Sequence, residues 1–581
     1  MKFNQEFKLF LKFLRFLLPY KKLWVFVFIL SFLAVPLSLV KPYLTKLIID
    51  KAMLNKDLKV FIILVFIGAG TFILGELLNR LKDALDRYIK IKVNFDLNKK
   101  VFTQIQNFPL VWFQNRATGE HIYKIDNDIS SVTEFITASL PEIFSLFPRL
   151  IFTLLIVFFL NWQMAIFSFC LAGFLYLAPY YFTQKMRKIL EEMIQNTEQI
   201  FNDLGEIFSH MQLVKIFGKE KTSIRIFLRR LIRDIRIRVK NIRLEVTGGF
   251  ITEILTKIII GLLTFYGGYQ VVKGKMTLGS LTAIMIYLTQ LVGLQNQCAS
   301  FFKNFILGLV SCKRIDEILE KKGKILEEKK AKKVSFKKGQ IIFKEVSFGY
   351  QPNQYILKNM SFIIEDNSHI ALAGPSGCGK TTLLNLLVRL YDIWEGEILI
   401  DGYNIKELKL NSLKEQIGFC LQEPFLWNDT VENNIRYGKE NADFKEIIAV
   451  SEIALVDEFV SQLPDGYNTV IGENACKISE GQKQKIAIAR ALIKKPKILI
   501  LDEAMSSMDS ASEEKIISNI KDNYKALTLI VVSHRLSTVM RADLVYYFVS
   551  ASKMIIDKVE NLLEDNKEFN QLFTGQDKIL V

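Results

Sequence analysis

Gly374-Pro375-Ser376-Gly377-Cys378-Gly379-Lys380-Thr381 is the stretch that decides the reading of this chain. It fits G-x-x-x-x-G-K-[ST], a loop whose glycines let successive backbone N–H groups wrap phosphate oxygens. The flanks agree with that reading. Ile370-Ala371-Leu372-Ala373 reads as a buried strand, and Thr381 to Leu390 as a helix whose N-terminus favours negative charge. Lys380 is then set to reach the β/γ-phosphates, and Thr381 to offer its hydroxyl to Mg2+. With Gly374, Ser376, Gly377, Cys378, Gly379 and Thr382 they form the expected ATP-binding set.

About 120 residues further on stands Ile498-Leu499-Ile500-Leu501-Asp502-Glu503. An apolar run ending in two acids reads as a core strand with carboxylates at its C-terminal edge, where open α/β sheets bind ligands. Asp502 is expected to hold Mg2+ and Glu503 to polarise an attacking water. Alone, such a strand end is common. Behind a phosphate-binding loop it is specific.

The first half of the chain is of another kind. The 581 residues are 50% hydrophobic, with 45 Phe, and the mean hydropathy is +0.22. Six runs are long enough to cross a bilayer, near 23–43, 60–79, 141–160, 164–183, 250–272 and 280–300. The first run is too long for a cleavable signal and lacks a convincing cleavage site. Residues 3–18 form an amphipathic segment suited to the cytoplasmic interface.

The formal charge of +16 excludes little by itself. Its basic residues cluster between apolar spans and not in one groove, so lipid headgroups and the positive-inside rule explain them better than nucleic acid. The long polar segments after spans two and four, the latter rich in Arg (Arg225, Arg229, Arg230, Arg233), are thereby placed in the cytoplasm. Lys41, Lys46, Lys51, Lys56 and Lys59, in the first outer connection, run against that rule. The six cysteines, Cys170, Cys298, Cys312, Cys378, Cys420 and Cys476, form no C-x-x-C pair and no zinc spacing. The expected organisation is an all-α six-span membrane domain with long cytoplasmic extensions (1–320), a charged linker (321–336), and an α/β P-loop ATPase domain (337–581).

Between the two nucleotide motifs lies Ile478-Ser479-Glu480-Gly481-Gln482, followed by Lys483 to Ala491. This closely resembles the signature motif of ATP-binding cassette (ABC) proteins, and the family's other marks follow in family order. Tyr350 resembles the aromatic that stacks on adenine, Gln422 the Q-loop glutamine, Asp509 in Ser506-Ser507-Met508-Asp509 the D-loop aspartate, and His534 the switch histidine. The first half is similar to the membrane domain of ABC exporters, with local echoes at Trp112–Glu120 and Met276–Gly279. Two departures stand out. Glu480 replaces a usual Gly, where an inward carboxylate would repel triphosphate; an outward one is expected. After Asp543 the usual Gly-containing turns are missing from Phe548 to Asp557. Gly472-Glu473-Asn474-Ala475 also carries Ala where Gly is common.

The resemblance implies a half-transporter that works as a dimer, with itself or with a related chain. Each ATP would lie between the P-loop of one chain and Ser479, Glu480, Gly481 and Gln482 of the other. Lys380, Glu503 and His534 are the implied catalytic residues, and Thr381, Gln422 and Asp502 the implied Mg2+ set. Short helices near Leu110–Thr118 and Leu213–Gly218 would carry closure to the membrane by docking near Gln422. The implied activity is ATP-driven export or flipping of an amphipathic or hydrophobic compound, such as a lipid, drug or peptide, across a bacterial plasma membrane. An importer on the same fold and an ATP-gated channel or regulator are the alternatives. Glu253, an acid within span five, either marks a functional site or pairs with Lys257 one turn on. Gln290, Gln295, Gln297 and Asn304 give span six a polar side.

Overall fold

The computed structural model describes residues 2–114, 124–320, 331–472 and 477–573. Residues 115–120 of the Trp112 segment, 321–330 of the charged linker, 473–475 beside Gly472, and Cys476 lie outside them. The chain divides into two compact units, Met1–Lys322 and Gly323–Val581.

The first unit is all helix. Its elements are α1 (Lys2–Leu14), α2 (Lys21–Leu47), α3 (Leu58–Gln106), α4 (Leu110–Gln114), α5 (Ile129–Leu160), α6 (Trp162–Ser209), α7 (Met211–Ile216), α8 (Glu220–Val272) and α9 (Leu278–Glu320). Each expected span lies within one of the six long helices. At 1.5 Å per residue the 49 residues of α3 reach roughly 70 Å, far beyond a hydrocarbon core of about 30 Å. The polar remainder of such helices forms the extensions. By length and composition alone, Lys8–Met53, Leu58–Gln106 and Glu220–Val272 suffice to cross a membrane, and Phe144–Leu160 and Leu278–Leu294 are shorter apolar stretches.

Polar residues set the tight corners. The Asn161 side chain accepts from Met164 N at 3.0 Å and caps α6, and Asp57 accepts from Val60 N at 3.2 Å and caps α3. Helix α2 continues into a π-helical turn, Ile48–Met53. There the Asp50 carboxylate accepts from Thr277 Oγ1 at 2.7 Å and Gly279 N at 2.9 Å, tying the first outer connection to the start of α9. At the opposite end, Arg314 meets Asp128 at 3.1 Å and Glu198 at 2.7 Å, so α9, the turn before α5, and α6 share one charge cluster. The apolar face of α1 serves the unit's own core: Phe10 and Phe13 are buried in it, as is Leu17 in the 3-10 turn that follows (Arg15–Tyr20), and Lys12 pairs with Asp316 and Glu320 on α9 at 2.5 Å.

The second unit opens earlier than its first strand. Within 331–336, Lys332 N donates to Glu407 O, Val334 N to Ser412 Oγ and Phe336 N to Gln416 Oε1. The Asp401 carboxylate then accepts four successive backbone N–H groups, from Lys337 to Gln340. Two sheets follow. An antiparallel sheet runs in the order β2-β1-β4-β5, with β1 Ile341–Phe348, β2 Leu357–Ile364, β4 Glu395–Ile400 and β5 Tyr403–Asn404. The main sheet runs β10-β9-β3-β8-β7-β6, with β3 His369–Ala373, β6 Ile417–Cys420, β7 Ile498–Asp502, β8 Thr528–Val532, β9 Leu544–Ser550 and β10 Lys553–Asp557.

Strands β6, β7, β8, β3 and β9 are parallel. β3, β7 and β8 are buried throughout, as continuous apolar runs require when both faces are covered. The β9–β10 hairpin shows how the chain does without the family's glycines. No residue between Phe548 and Asp557 has positive φ, and a register shift between Lys553 and Met554 absorbs the turn.

Candidate ATP site and membrane-embedded charges

Four parallel strands deliver the expected residues to one edge. β3 ends at the P-loop, β6 just before Gln422, β7 at Asp502-Glu503, and β8 just before His534. The order β3-β8-β7-β6 sets the His534 strand between the P-loop strand and the acidic strand.

The P-loop needs its glycines. Gly374, Gly377 and Gly379 have φ of 150°, 80° and 106°, and a Cβ at Gly374 would lie 2.9 Å from Phe548 Cβ. These are conformations that other residues adopt only with strain. Lys380 is buried, and its ammonium donates to Gly374 O at 2.7 Å and Pro375 O at 3.1 Å, so it lies along the loop it serves. Cys378 Sγ is 4.0 Å from the same ammonium. Tyr350 packs edge-on against Phe348 and Tyr391, and its hydroxyl is 3.2 Å from Thr382 Oγ1. Its ring stays 43% exposed, leaving a face open beside the loop.

Asp502 is buried at 2% exposure. Burial pushes its carboxyl above the ordinary range and Glu503 adds to the push, while a hydrogen bond to Thr381 and the charge of Lys380 oppose it. Glu503 is held from both sides. Gln422 Nε2 donates to one carboxylate oxygen at 2.8 Å, and His534 Nε2 stands 3.1 Å from the other. The Glu503 backbone has φ of 49°, the left-handed region that a side chain occupies at a cost of about 1–3 kcal/mol and that clusters at functional sites.

The signature stretch is organised locally. Ser479 caps the helix Glu480–Leu492. Its hydroxyl accepts from Gln482 N at 3.3 Å, and its own N donates to Gln482 Oε1 at 2.9 Å, a capping box. Glu480 points outward, half exposed, and pairs with Lys483 at 3.1 Å. A Cβ on Gly481 would stand 3.0 Å from Ser507 O, so a side chain there would press on the D-loop. Asp509 caps the next helix, Ser510–Asn523, by accepting from Ser512 N at 2.8 Å, and that bond lowers its carboxyl below the ordinary range.

Three residues not singled out in the sequence hold this region. Buried Gln484 donates to Ser506 Oγ and accepts from Ser507 N at 3.1 Å. Arg535, next to His534, donates to Ser506 O and Met508 O, both at 2.8 Å, and to Glu513 at 2.9 Å. Thr538 Oγ1 closes the network on the other Glu513 oxygen.

Known proteins are similar to this chain. The family described as ABC transporter transmembrane region matches residues 24–295, and the ABC transporter family matches residues 357–506. The chain is 30% identical to the ATP-dependent lipid A-core flippase of Syntrophus aciditrophicus, over 99% of this chain and 96% of that protein. This chain belongs to the ABC transporters. The flippase of the same name from Desulfotalea psychrophila is also 30% identical, covering 96% of this chain and 98% of that protein. Among solved structures, a bacterial Atm1-family ABC exporter with ATP bound superposes with a TM-score of 0.88 at 25% identity, covering 97% of this chain and 99% of that one. The transporter is a multi-pass membrane protein with a cytoplasmic ATPase unit, and it couples ATP hydrolysis to export. As a half-transporter it dimerises with a second chain, and its ATPase unit binds nucleotide.

In the transporter's membrane unit, Glu253 pairs with Lys257 at 2.8 Å on the exposed side of α8. Along span six, Gln290 is half-buried, Gln297 and Asn304 are exposed, and the Gln295 side chain lies outside the description. A cation missed in the sequence is more telling. Arg149 lies within α5, midway along the expected span 141–160, and its Nε is buried with no hydrogen-bond partner among the described residues. Arg149 sits between Pro148 and Leu150 in a largely apolar run, whose hydropathy hides a single cation.

Proposed function

We propose that the edge residues form the hydrolytic half of a composite ATP site, closed by the signature stretch of a second chain. The observation that carries this reading is Glu503 held between Gln422 and His534 beside the P-loop. Asp502, Thr381 and Gln422 present the oxygen donors that a hard cation takes, and one carboxylate plus substrate phosphates is the usual manner of holding Mg2+. Among the described residues no cluster of three or more His, Cys, Asp or Glu forms a metal site of its own. Mg2+, when bound, neutralises charge on the β- and γ-phosphate oxygens.

In the reaction, Glu503 orients a water and accepts its proton as the water oxygen bonds to the γ-phosphorus. The bond from that phosphorus to the ADP oxygen breaks. Lys380 swings from the loop carbonyls to the phosphates, and His534 contacts the γ-phosphate. Ser479, Gly481 and Gln482 of the second chain would complete the shell, and Tyr350 would stack on adenine. ATP then favours the closed dimer because both chains bind it, and hydrolysis removes that preference. The short helices α4 and α7 are the proposed carriers of closure to the membrane.

The exported compound is read as an amphipath. Both flippase relatives carry a lipid A-core name. An unpaired intramembrane cation is a functional site by default, so Arg149 favours substrates with an anionic group. Glu503→Gln tests the ATP site. The purified variant should bind ATP as wild type does and lose activity on the order of a hundredfold or more; turnover at the wild-type rate removes Glu503 from its role. Arg149→Gln, in liposomes, should abolish any excess ATPase stimulation by anionic over neutral amphipaths.

A further inference from the structure

Lys41 and Lys46 lie near the end of α2, Lys51 and Lys56 in the connection that follows and Lys59 at the start of α3, and Lys273 and Lys275 lie in the turn between α8 and α9 at the same end. Two carboxylates accompany them, and both are engaged. Asp50 binds Thr277 and Gly279, and Asp57 caps α3. This end of the molecule is therefore a basic collar on the side where the positive-inside rule disfavours one.

Directly beneath the collar, α2 and α5 enclose a cavity of about 520 Å3. Its walls are apolar, with Leu39 and Val40 from α2 and Ile156 and Phe159 from α5. Tyr287 of α9 closes it, with its hydroxyl donating to Leu39 O at 2.6 Å. Among the described residues the only cation lining the cavity is Lys46, in the last turn of α2. Its ammonium lies 5.8 Å from the ring of Tyr43, and among the described residues no carboxylate pairs with it. An apolar slot opening at the outer membrane boundary under an unpaired ammonium has the form of a lipid with a negative headgroup.

We propose that this groove holds an anionic phospholipid of the outer leaflet, with an acyl chain between α2 and α5 and the headgroup phosphate on Lys46. Charge complementarity selects this occupant. A zwitterionic lipid fills the slot equally well and also carries a phosphate, but its own cationic group already balances that charge and so answers Lys46 less fully, and a second copy of the chain would have to bring its own acid. The lipid is a resident of the transporter and not its cargo, so the inference does not depend on which compound is exported.

The test uses the purified full-length transporter equilibrated with phosphatidylglycerol or phosphatidylcholine of identical chains, with retained lipid read by native mass spectrometry. Wild type should retain phosphatidylglycerol in preference by on the order of fivefold, the effect of one lysine at a membrane surface. Lys46→Gln should erase the preference, Lys46→Arg should keep it, and Val40→Trp, which fills the slot and leaves the lysine, should lose both lipids. Melting temperatures report whether each variant folds. Equal retention by wild type, or a preference that survives Lys46→Gln, overturns the proposal. Release of the bound lipid during ATP turnover would make it cargo, and dissociation of the Lys46→Gln dimer at unchanged lipid retention would make the groove a subunit contact; either result also overturns it.

Discussion

Glu503 takes its partners from afar, Gln422 from 81 positions back and His534 from the end of another strand. Ser479 takes its partner from Gln482, three positions on. The first region is assembled by the sheet, since nothing short of β6, β7 and β8 in register brings those side chains together. The second is assembled by one helical turn and is complete in itself. Its backbone groups are satisfied locally, and Ser479 stays exposed at the end of its helix. A site built by the fold can be finished within one chain, whereas a capped helix end with an exposed hydroxyl is suited to being offered to another chain.

Ser479→Asp breaks or sharpens that contrast most strongly. Asp caps as well as Ser, so the melting temperature of the purified variant should match wild type. The added negative charge would face the phosphates of the opposite site, and ATPase activity should fall on the order of a hundredfold, as when one stabilising donor is lost. Unchanged activity would mean that the hydroxyl only caps its helix and that the comparison concerns folding alone.

Arg535 joins the two regions. It sits beside His534 and binds the Ser506 and Met508 carbonyls, which flank Ser507, whose own carbonyl oxygen lies against Gly481 of the signature helix. Arg535→Ala would leave Glu513, 5% exposed, with Thr538 as its remaining side-chain donor. Stranding one partner of a fully buried pair costs about 3–5 kcal/mol. With Arg535 about a third exposed, a loss of about 2 kcal/mol is expected, a drop of several degrees in the melting temperature. Glu513→Gln in the same chain should recover part of it. A variant that melts like wild type would show that the switch histidine and the D-loop are held independently.

The sequence revealed these layers unequally. Lys380, Asp502 and Glu503 were legible because each belongs to a contiguous motif next to a buried strand, and the long helices were legible because hydrocarbon tolerates few charges. The capping box was legible in principle, since Ser479-x-x-Gln482 is the S-x-x-Q pattern, but nucleotide chemistry claimed both residues first. Arg535, Glu513 and Gln484 were not legible. Their partners lie 22 or more positions away, and only the packing of the D-loop turn brings them into range. The β9–β10 turn was obscured for a different reason. It is made by a register shift at Lys553 and Met554 and not by glycine, so its usual mark is absent.

Glu480 gives the smallest expected effect and tests the departure from the family most directly. Its carboxylate pairs with Lys483 at 3.1 Å with the acid half exposed, and such surface pairs contribute about 0–1 kcal/mol. As the first residue of the helix Glu480–Leu492, it also meets the positive end of the helix dipole, an effect of about 0.3–1 kcal/mol. Glu480→Gly, which restores the usual residue, should therefore lower stability by less than about 1 kcal/mol and leave ATPase activity within about twofold. The measurement is a melting curve paired with steady-state hydrolysis. A severalfold gain in hydrolysis would mean that the carboxylate reaches the opposite nucleotide and repels it, and the outward pairing with Lys483 would then not describe the closed dimer. Unchanged hydrolysis with a small stability loss would mean that Glu480 serves its own helix, as Ser479 and Gln482 do, and that the substitution is tolerated because this corner of the site is built from within.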